Sequence, residues 1–138
     1  DVSGKLIALT PSASGAWSQR PIALPSNSTI SLGSISGKRD MAFATVEGML
    51  DPTALMAVKA DGSTARVAAL PAQFDASRFA VEQRFATSKD GTRVPYFLVR
   101  RKDVTAPTGV LVHAYGGFRA AQTPTYLTGQ PYRAGPLG

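Results

Sequence analysis

Thr108-Gly109-Val110-Leu111-Val112-His113-Ala114-Tyr115-Gly116-Gly117-Phe118 is the stretch whose reading decides the fold. Its first part is a continuous apolar run, the pattern of a strand buried on both faces rather than on one. The run stops at a glycine pair, where a backbone without Cβ atoms can approach another group closely. A polar loop containing Pro107 precedes it. Before that loop, Val81-Glu82-Gln83-Arg84-Phe85-Ala86-Thr87 alternates and Ser88-Lys89-Asp90-Gly91-Thr92 reads as a tight turn. Val94-Pro95-Tyr96-Phe97-Leu98-Val99 follows as an edge-type strand, because Pro95 has no N–H for a central ladder. The order is hairpin, loop, buried strand, glycine turn.

Further upstream the pattern changes. Lys5–Leu9, Thr29–Gly33, Met41–Val46, Leu55–Val58 and Ala65–Leu70 are short runs separated by Pro11, Pro21, Pro25, Asn27, Gly37, Asp51-Pro52 and Asp61-Gly62. Short strands with turn signals about every ten residues predict an antiparallel β architecture. Asp61-Gly62 marks a hairpin, since both residues tolerate positive φ. No segment keeps a 3.6-residue period for three turns, so helix is confined to at most one turn between Met49 and Met56, near Pro52. Five or six strands leave edges that must pair with something. Trp17, Met41, Met49 and Met56 read as core or packing between sheets.

Composition sets the outer limits. At 138 residues and 43% hydrophobic, the chain has room for one small domain or for pieces of two. Cysteine is absent and His113 is the one histidine, so neither disulfides nor a closed metal shell can be built, and no cofactor is expected. No apolar run approaches the ~20 residues that span a bilayer, and no membrane partner is expected. The start at Asp1 does not resemble a signal peptide and suggests a chain cut from a longer one; the compartment, cytoplasmic or periplasmic, stays open. The net charge of +6 arises late: from Arg78 onward nine Lys and Arg face Glu82, Asp90 and Asp103, whereas six cations and six anions balance before it. The run Arg100-Arg101-Lys102 ends an apolar strand and meets Asp103 as a solvated strand end would. No nucleic-acid motif accompanies it, so nucleic acid is not expected as a partner.

A full Ser-His-acid triad is excluded. There is no Gly-x-Ser-x-Gly, and the single histidine lies within the apolar run with no carboxylate or serine motif nearby. His113 is therefore read as a core histidine. Tyr115, Gly116, Gly117 and Phe118 form the candidate site, because loops after such a strand commonly help to build an oxyanion hole.

From Val81 to Tyr126 the sequence resembles the prolyl oligopeptidase family of serine peptidases. The residues that carry the likeness are Ser88-Lys89-Asp90-Gly91-Thr92 with Val94-Pro95-Tyr96-Phe97, then Tyr115-Gly116-Gly117-Phe118 and Thr123-Pro124-Thr125-Tyr126. Met49–Thr53, Leu70-Pro71 and Phe74-Asp75 look more loosely like the end of a propeller and its exit. The family more often has Tyr-Gly where this chain has His113-Ala114. The resemblance implies a mostly β fragment: antiparallel β-propeller blade strands over residues 1–77, then the first strands of an α/β-hydrolase sheet over 78–138, with a crossing near Phe74 to Phe79. It also implies that the triad lies downstream, that Tyr115 is an oxyanion donor, and that Phe118 is an aromatic wall of the proline pocket beside Gly116 and Gly117. The intact enzyme is then expected to cleave short proline-containing peptides. The piece itself is expected to pack against the rest of its parent or to self-associate. An oligopeptidase cutting after basic residues is the nearest rival, and Gly117-Phe118 favours proline. A non-catalytic β-rich binding module is the alternative of another class.

Overall fold

A computed structural model describes residues 2–106 and 109–128 of the chain. Asp1, Pro107, Thr108 and Arg133 lie outside the described residues, as does the end of the second expected domain. The chain is mostly antiparallel β, in three separate sheets. Strands β1 (Ile7–Pro11) and β2 (Trp17–Pro21) form a hairpin. Strands β3 (Ser28–Ser36), β4 (Met41–Gly48), β5 (Ala54–Lys59) and β6 (Thr64–Ala69) form a four-stranded meander. A short 3-10 turn at Ala76–Arg78 leads into the hairpin of β7 (Phe79–Thr87) and β8 (Arg93–Arg101).

The meander follows from alternation. Pairing Ala44 with Leu32 and Met56, and Val46 with Ile30 and Ala54, puts the even-numbered residues of β4 on one face. That face is the covered one: Ala44 is 0% exposed and Val46 and Val58 are buried, while Thr45 on the other face is in solvent. The expected turns are present. Gly62, at φ +84°, donates its N–H to the Lys59 carbonyl, and the Asp61 carboxylate accepts from the Ser63 N–H. Arg20 reaches over from β2 and donates to the Ala60 and Asp61 carbonyls, tying the first hairpin to this turn.

In the β7–β8 hairpin, the Ser88 N–H donates to the Thr92 carbonyl at one end and the Lys102 N–H to the Arg78 carbonyl at the other. Both bonds place the narrow hydrogen-bonded pairs at even-numbered positions. Phe85 and Pro95 are therefore a non-hydrogen-bonded pair. The proline nitrogen faces the outer edge, where its missing N–H leaves no gap in the ladder, as expected for an edge strand.

A small core closes the joint between the meander and this hairpin. Leu50, Phe79 and Leu127 are buried together, with Met49, Phe74, Val81 and Val99 packed around them. Phe74 meets Phe79 edge-on with ring centres 6.2 Å apart and stacks on Tyr126 at 5.2 Å. Such aromatic pairs contribute about 0.5–1.5 kcal/mol each beyond the area they bury.

Three expectations are corrected. Val110–Ala114 is neither a strand nor buried: Val112 is 80% exposed and the run is laddered to nothing among the described residues. A strand apolar on both faces needs a neighbour on each edge and cover on each face. His113, within this run, is exposed and is no core histidine. Trp17 is 64% exposed on β2, because the first hairpin touches the meander through Arg20 and leaves its own face open. Between Met49 and Met56 the single helical turn that the sequence left open is absent. The Gly48 N–H bonds to the Asp51 carbonyl and β5 begins at Ala54.

Hydrogen exchange on the chain should separate these regions. The amides of Ala44 and Val46 are expected to be strongly protected, and those of Val110 to His113 to exchange at nearly the rate of an unstructured peptide. Strong protection across Val110 to His113 would mean that the run has found a sheet.

Candidate functional site

The loop that follows the apolar run is built by local sterics. The Ala120 N–H donates to the Gly117 carbonyl at 3.1 Å, closing a four-residue turn. Its central residues, Phe118 and Arg119, both sit at φ +54°. That left-handed region is uncommon for side chains other than Gly, Asn and Asp, and for Phe it is a strained choice. Phe118 is consequently thrown outward and is 97% exposed. A pocket wall needs an opposite side, and the described residues place none against Phe118.

Tyr115 is half exposed, and its phenol folds back over Gly117. A Cβ at Gly117 would lie 2.8 Å from Tyr115 Oη and 3.0 Å from Cζ, so this placement of the ring depends on glycine. Gly116, by contrast, has open space where a Cβ would stand. The structure thus gathers Tyr115, Gly116, Gly117 and Phe118 on one exposed loop. His113, two residues earlier in the chain, is exposed as well.

Beyond the loop, Pro124–Thr128 crosses back over the meander. The Pro124 carbonyl accepts from Thr29 Oγ1 at 2.7 Å, and the Tyr126 N–H donates to Glu47 Oε1 at 2.6 Å. The Leu127 N–H bonds to the Met49 carbonyl, and Tyr126 Oη accepts from the Gln73 N–H at 2.8 Å. Glu47 Oε2 accepts from Thr53 Oγ1 at 3.1 Å. Sequence reasoning missed Glu47, which counted only as one anion among several. Its sole signal is a carboxylate on a strand whose neighbours are apolar.

Six of the nine late cations, Arg78, Arg84, Arg93, Arg100, Arg101 and Lys102, have local partners. Glu82 accepts from Arg84 and from Arg100, diagonally across the hairpin, and these bonds, Arg84 first, hold its carboxyl below the usual range. Asp103 accepts a two-pronged bond from Arg101, with Arg78 at 3.8 Å, and its carboxyl is lowered to about 2. Lys102 Nζ donates to the Ser77 carbonyl, and Arg93 lies over the Phe85 ring at 4.3 Å. In the turn between β7 and β8, the Ser88 hydroxyl and then the Thr92 N–H lower Asp90 to about 2. Among the described residues no three or more His, Asp or Glu side chains gather as metal ligands, and no helix is long and apolar enough to cross a membrane.

With this geometry in place, the relatives can be read. No family model matches the chain. An uncharacterized peptidase of Sinorhizobium fredii is 47% identical over 117 residues, which is 81% of this chain and 16% of that protein. An uncharacterized peptidase of Rickettsia prowazekii is 38% identical over 55 residues, covering 38% of this chain and 8% of its own length. Among solved structures, a post-proline cleaving enzyme from Rickettsia typhi superposes with a TM-score of 0.68 at 25% identity, over 94% of this chain and 19% of that one. One of two prolyl endopeptidases compared for the role of inter-domain dynamics in catalysis and specificity gives 0.61 at 26% identity, over 75% of this chain and 15% of its own. The chain is thus a relative of peptidases that matches less than a fifth of each one's length. The solved relatives are prolyl-cleaving peptidases, in keeping with the resemblance to the prolyl oligopeptidase family.

Acid should reach the turn at Asp90 late, after carboxyls in the ordinary range. Its carboxyl titrates at about 2 instead of 3.8, so the charged form stabilises the folded turn above the ordinary value and loses that effect as pH falls through about 2. The Thr92 amide resonance is expected to follow this titration, with its midpoint near pH 2. Asp90→Asn should remove the dependence, and an unaltered titration in that variant would refute the assignment.

Proposed function

We propose that this chain is a portion of a serine-type peptidase that hydrolyses short peptides on the carboxyl side of proline by acyl transfer. In this reading residues 1–77 close a β-propeller and residues 78–138 open the α/β-hydrolase domain. The four-stranded antiparallel meander has the strand number and order of a propeller blade. The observation that carries the reading is the match to a post-proline cleaving enzyme over 94% of the chain, together with the Tyr115-Gly116-Gly117-Phe118 loop.

The chemistry divides between this chain and the rest of its parent. A serine elsewhere attacks the carbonyl carbon of the residue before the scissile bond, and the carbonyl oxygen becomes an oxyanion. The Tyr115 phenol O–H donates to that oxygen, alongside a backbone N–H beside the nucleophile. The carbon–nitrogen bond then breaks, the amine leaves with a proton, and water releases the acyl group. Gly116 and Gly117 let substrate approach the backbone, and Gly117 leaves room for the phenol. Phe118 packs against the proline ring once the missing side of the pocket is in place. A single oxyanion donor of this kind is worth about 3–4 kcal/mol in the transition state.

The test uses the complete protein that contains this segment. It should cleave chromogenic peptides after proline and take up a serine-directed phosphonate. Tyr115→Phe should lower kcat about 10²- to 10³-fold with little change in KM. Gly117→Ala should act in the same direction by displacing the phenol. The 138-residue chain by itself, lacking a Gly-x-Ser-x-Gly, should take up no label. Preferred cleavage after Arg or Lys would instead favour the basic-residue oligopeptidase, and no labelling of the complete protein would overturn the serine mechanism.

A further inference from the structure

The segment Pro124–Thr128 belongs to no helix or strand, so its backbone polar groups must find partners elsewhere. Three of them find partners on the other side of the joint, and the Tyr126 phenol adds a fourth bond. Pro124 bonds to Thr29 on β3, Tyr126 to Glu47 on β4, Leu127 to Met49 after β4, and the Tyr126 phenol to Gln73 before the 3-10 turn. These partners are 95, 79 and 53 residues away for Thr29, Glu47 and Gln73. Pro124 is among the most completely buried side chains, and Leu127 sits in the joint core. An irregular strap has therefore been fastened to the meander at both its backbone and its side chains.

Glu47 is the central fastening. One carboxylate oxygen receives the Tyr126 N–H and the other the Thr53 hydroxyl, so a single side chain joins the strap to the β4–β5 connection. The bond to Tyr126, at 2.6 Å, has the short length of an N–H donating to a charged oxygen. The strap begins a few residues after the Gly117–Ala120 turn, and among the described residues no ladder holds the chain on the other side of that loop.

We propose that Glu47 is a positioning residue. Its carboxylate latches Pro124–Thr128 to the four-stranded sheet and so fixes where the Tyr115–Phe118 loop stands relative to that sheet. The latch does not depend on the peptidase reading, since every contact in it lies outside the Tyr115–Phe118 loop.

Hydrogen exchange and limited trypsin cleavage at Arg119 on the full chain test it. In Glu47→Ala the amides of Tyr126 and Leu127 should exchange about ten- to a hundredfold faster, as loss of one charge-assisted hydrogen bond implies, while Ala44 and Val46 are unchanged. Cleavage at Arg119 should accelerate with them. Glu47→Gln keeps an oxygen for the Tyr126 N–H and an amide group for the Thr53 hydroxyl, and should restore both readings to within a few-fold of the parent. Thr29→Val removes only the Pro124 bond and serves if Glu47→Ala does not fold; it should loosen the same two amides. Unchanged exchange at Tyr126 and Leu127, or equal acceleration of Ala44 and Val46, would overturn the latch.

Discussion

Leu50, Phe79 and Leu127 come from three distant parts of the sequence and bury one another at the joint between the meander and the β7–β8 hairpin. Neither sheet has a closed core of its own, so this cluster fixes how they stand together. Fully burying a side chain of this size stabilises by about 1.5–3 kcal/mol. The aromatic contacts of Phe74 with Phe79 and Tyr126 extend the cluster toward the strap. Remove the joint, and the hairpin is left with its own ladder, its exposed ion pairs and long bonds such as those from Asn27 to the Val81 carbonyl and from Ser3 to Gln83, both at 3.5 Å. Exposed ion pairs contribute little in water.

The joint also explains why the loop of interest is held from one side. Downstream, the strap ties it to Thr29, Glu47 and Met49. Upstream, Val110–Ala114 pairs with no strand among the described residues, and its apolar side chains face water. Between these two conditions the turn at Phe118 and Arg119 takes a left-handed backbone that only the local chain imposes. Strain of this kind persists where surrounding structure over-determines it. Here the immediate constraint is the Ala120 N–H on the Gly117 carbonyl, and the strap begins four residues further on.

Legibility in the sequence followed the range of the forces involved. Strands β3 to β8 could be read because alternation and the Asp61-Gly62 and Asp90-Gly91 turns are local facts, and the observed pairing uses those turns. Strand β2 was missed: Trp17-Ser18-Gln19-Arg20-Pro21 carries a single large apolar side chain, and its pairing with β1 is set by the turn at Gly15, at φ +81°. Val110–Ala114 was misread for the opposite reason. Its apolar character states what the strand requires, and nothing local can state whether neighbours are there to meet it. The candidate loop was legible as a motif, yet the fold-back of Tyr115 over Gly117 and the role of Glu47 were not. Both are contacts made in space, and Glu47 makes its own with a segment 79 residues away.

An exposed apolar run next to a strained loop is unstable in isolation and well suited to a larger assembly. Each large aliphatic side chain of Val110, Leu111 and Val112 left in water forfeits about 1.5–3 kcal/mol relative to burial. Covering that run with neighbouring strands and helices would recover this energy and anchor the loop's free side. The same step would bring a second wall toward Phe118. Under the proposed function, the loop's chemistry and the run's need for cover are one physical requirement: whatever packs against Val110–Ala114 also sets how the Tyr115 hydroxyl, held over Gly117, meets a substrate.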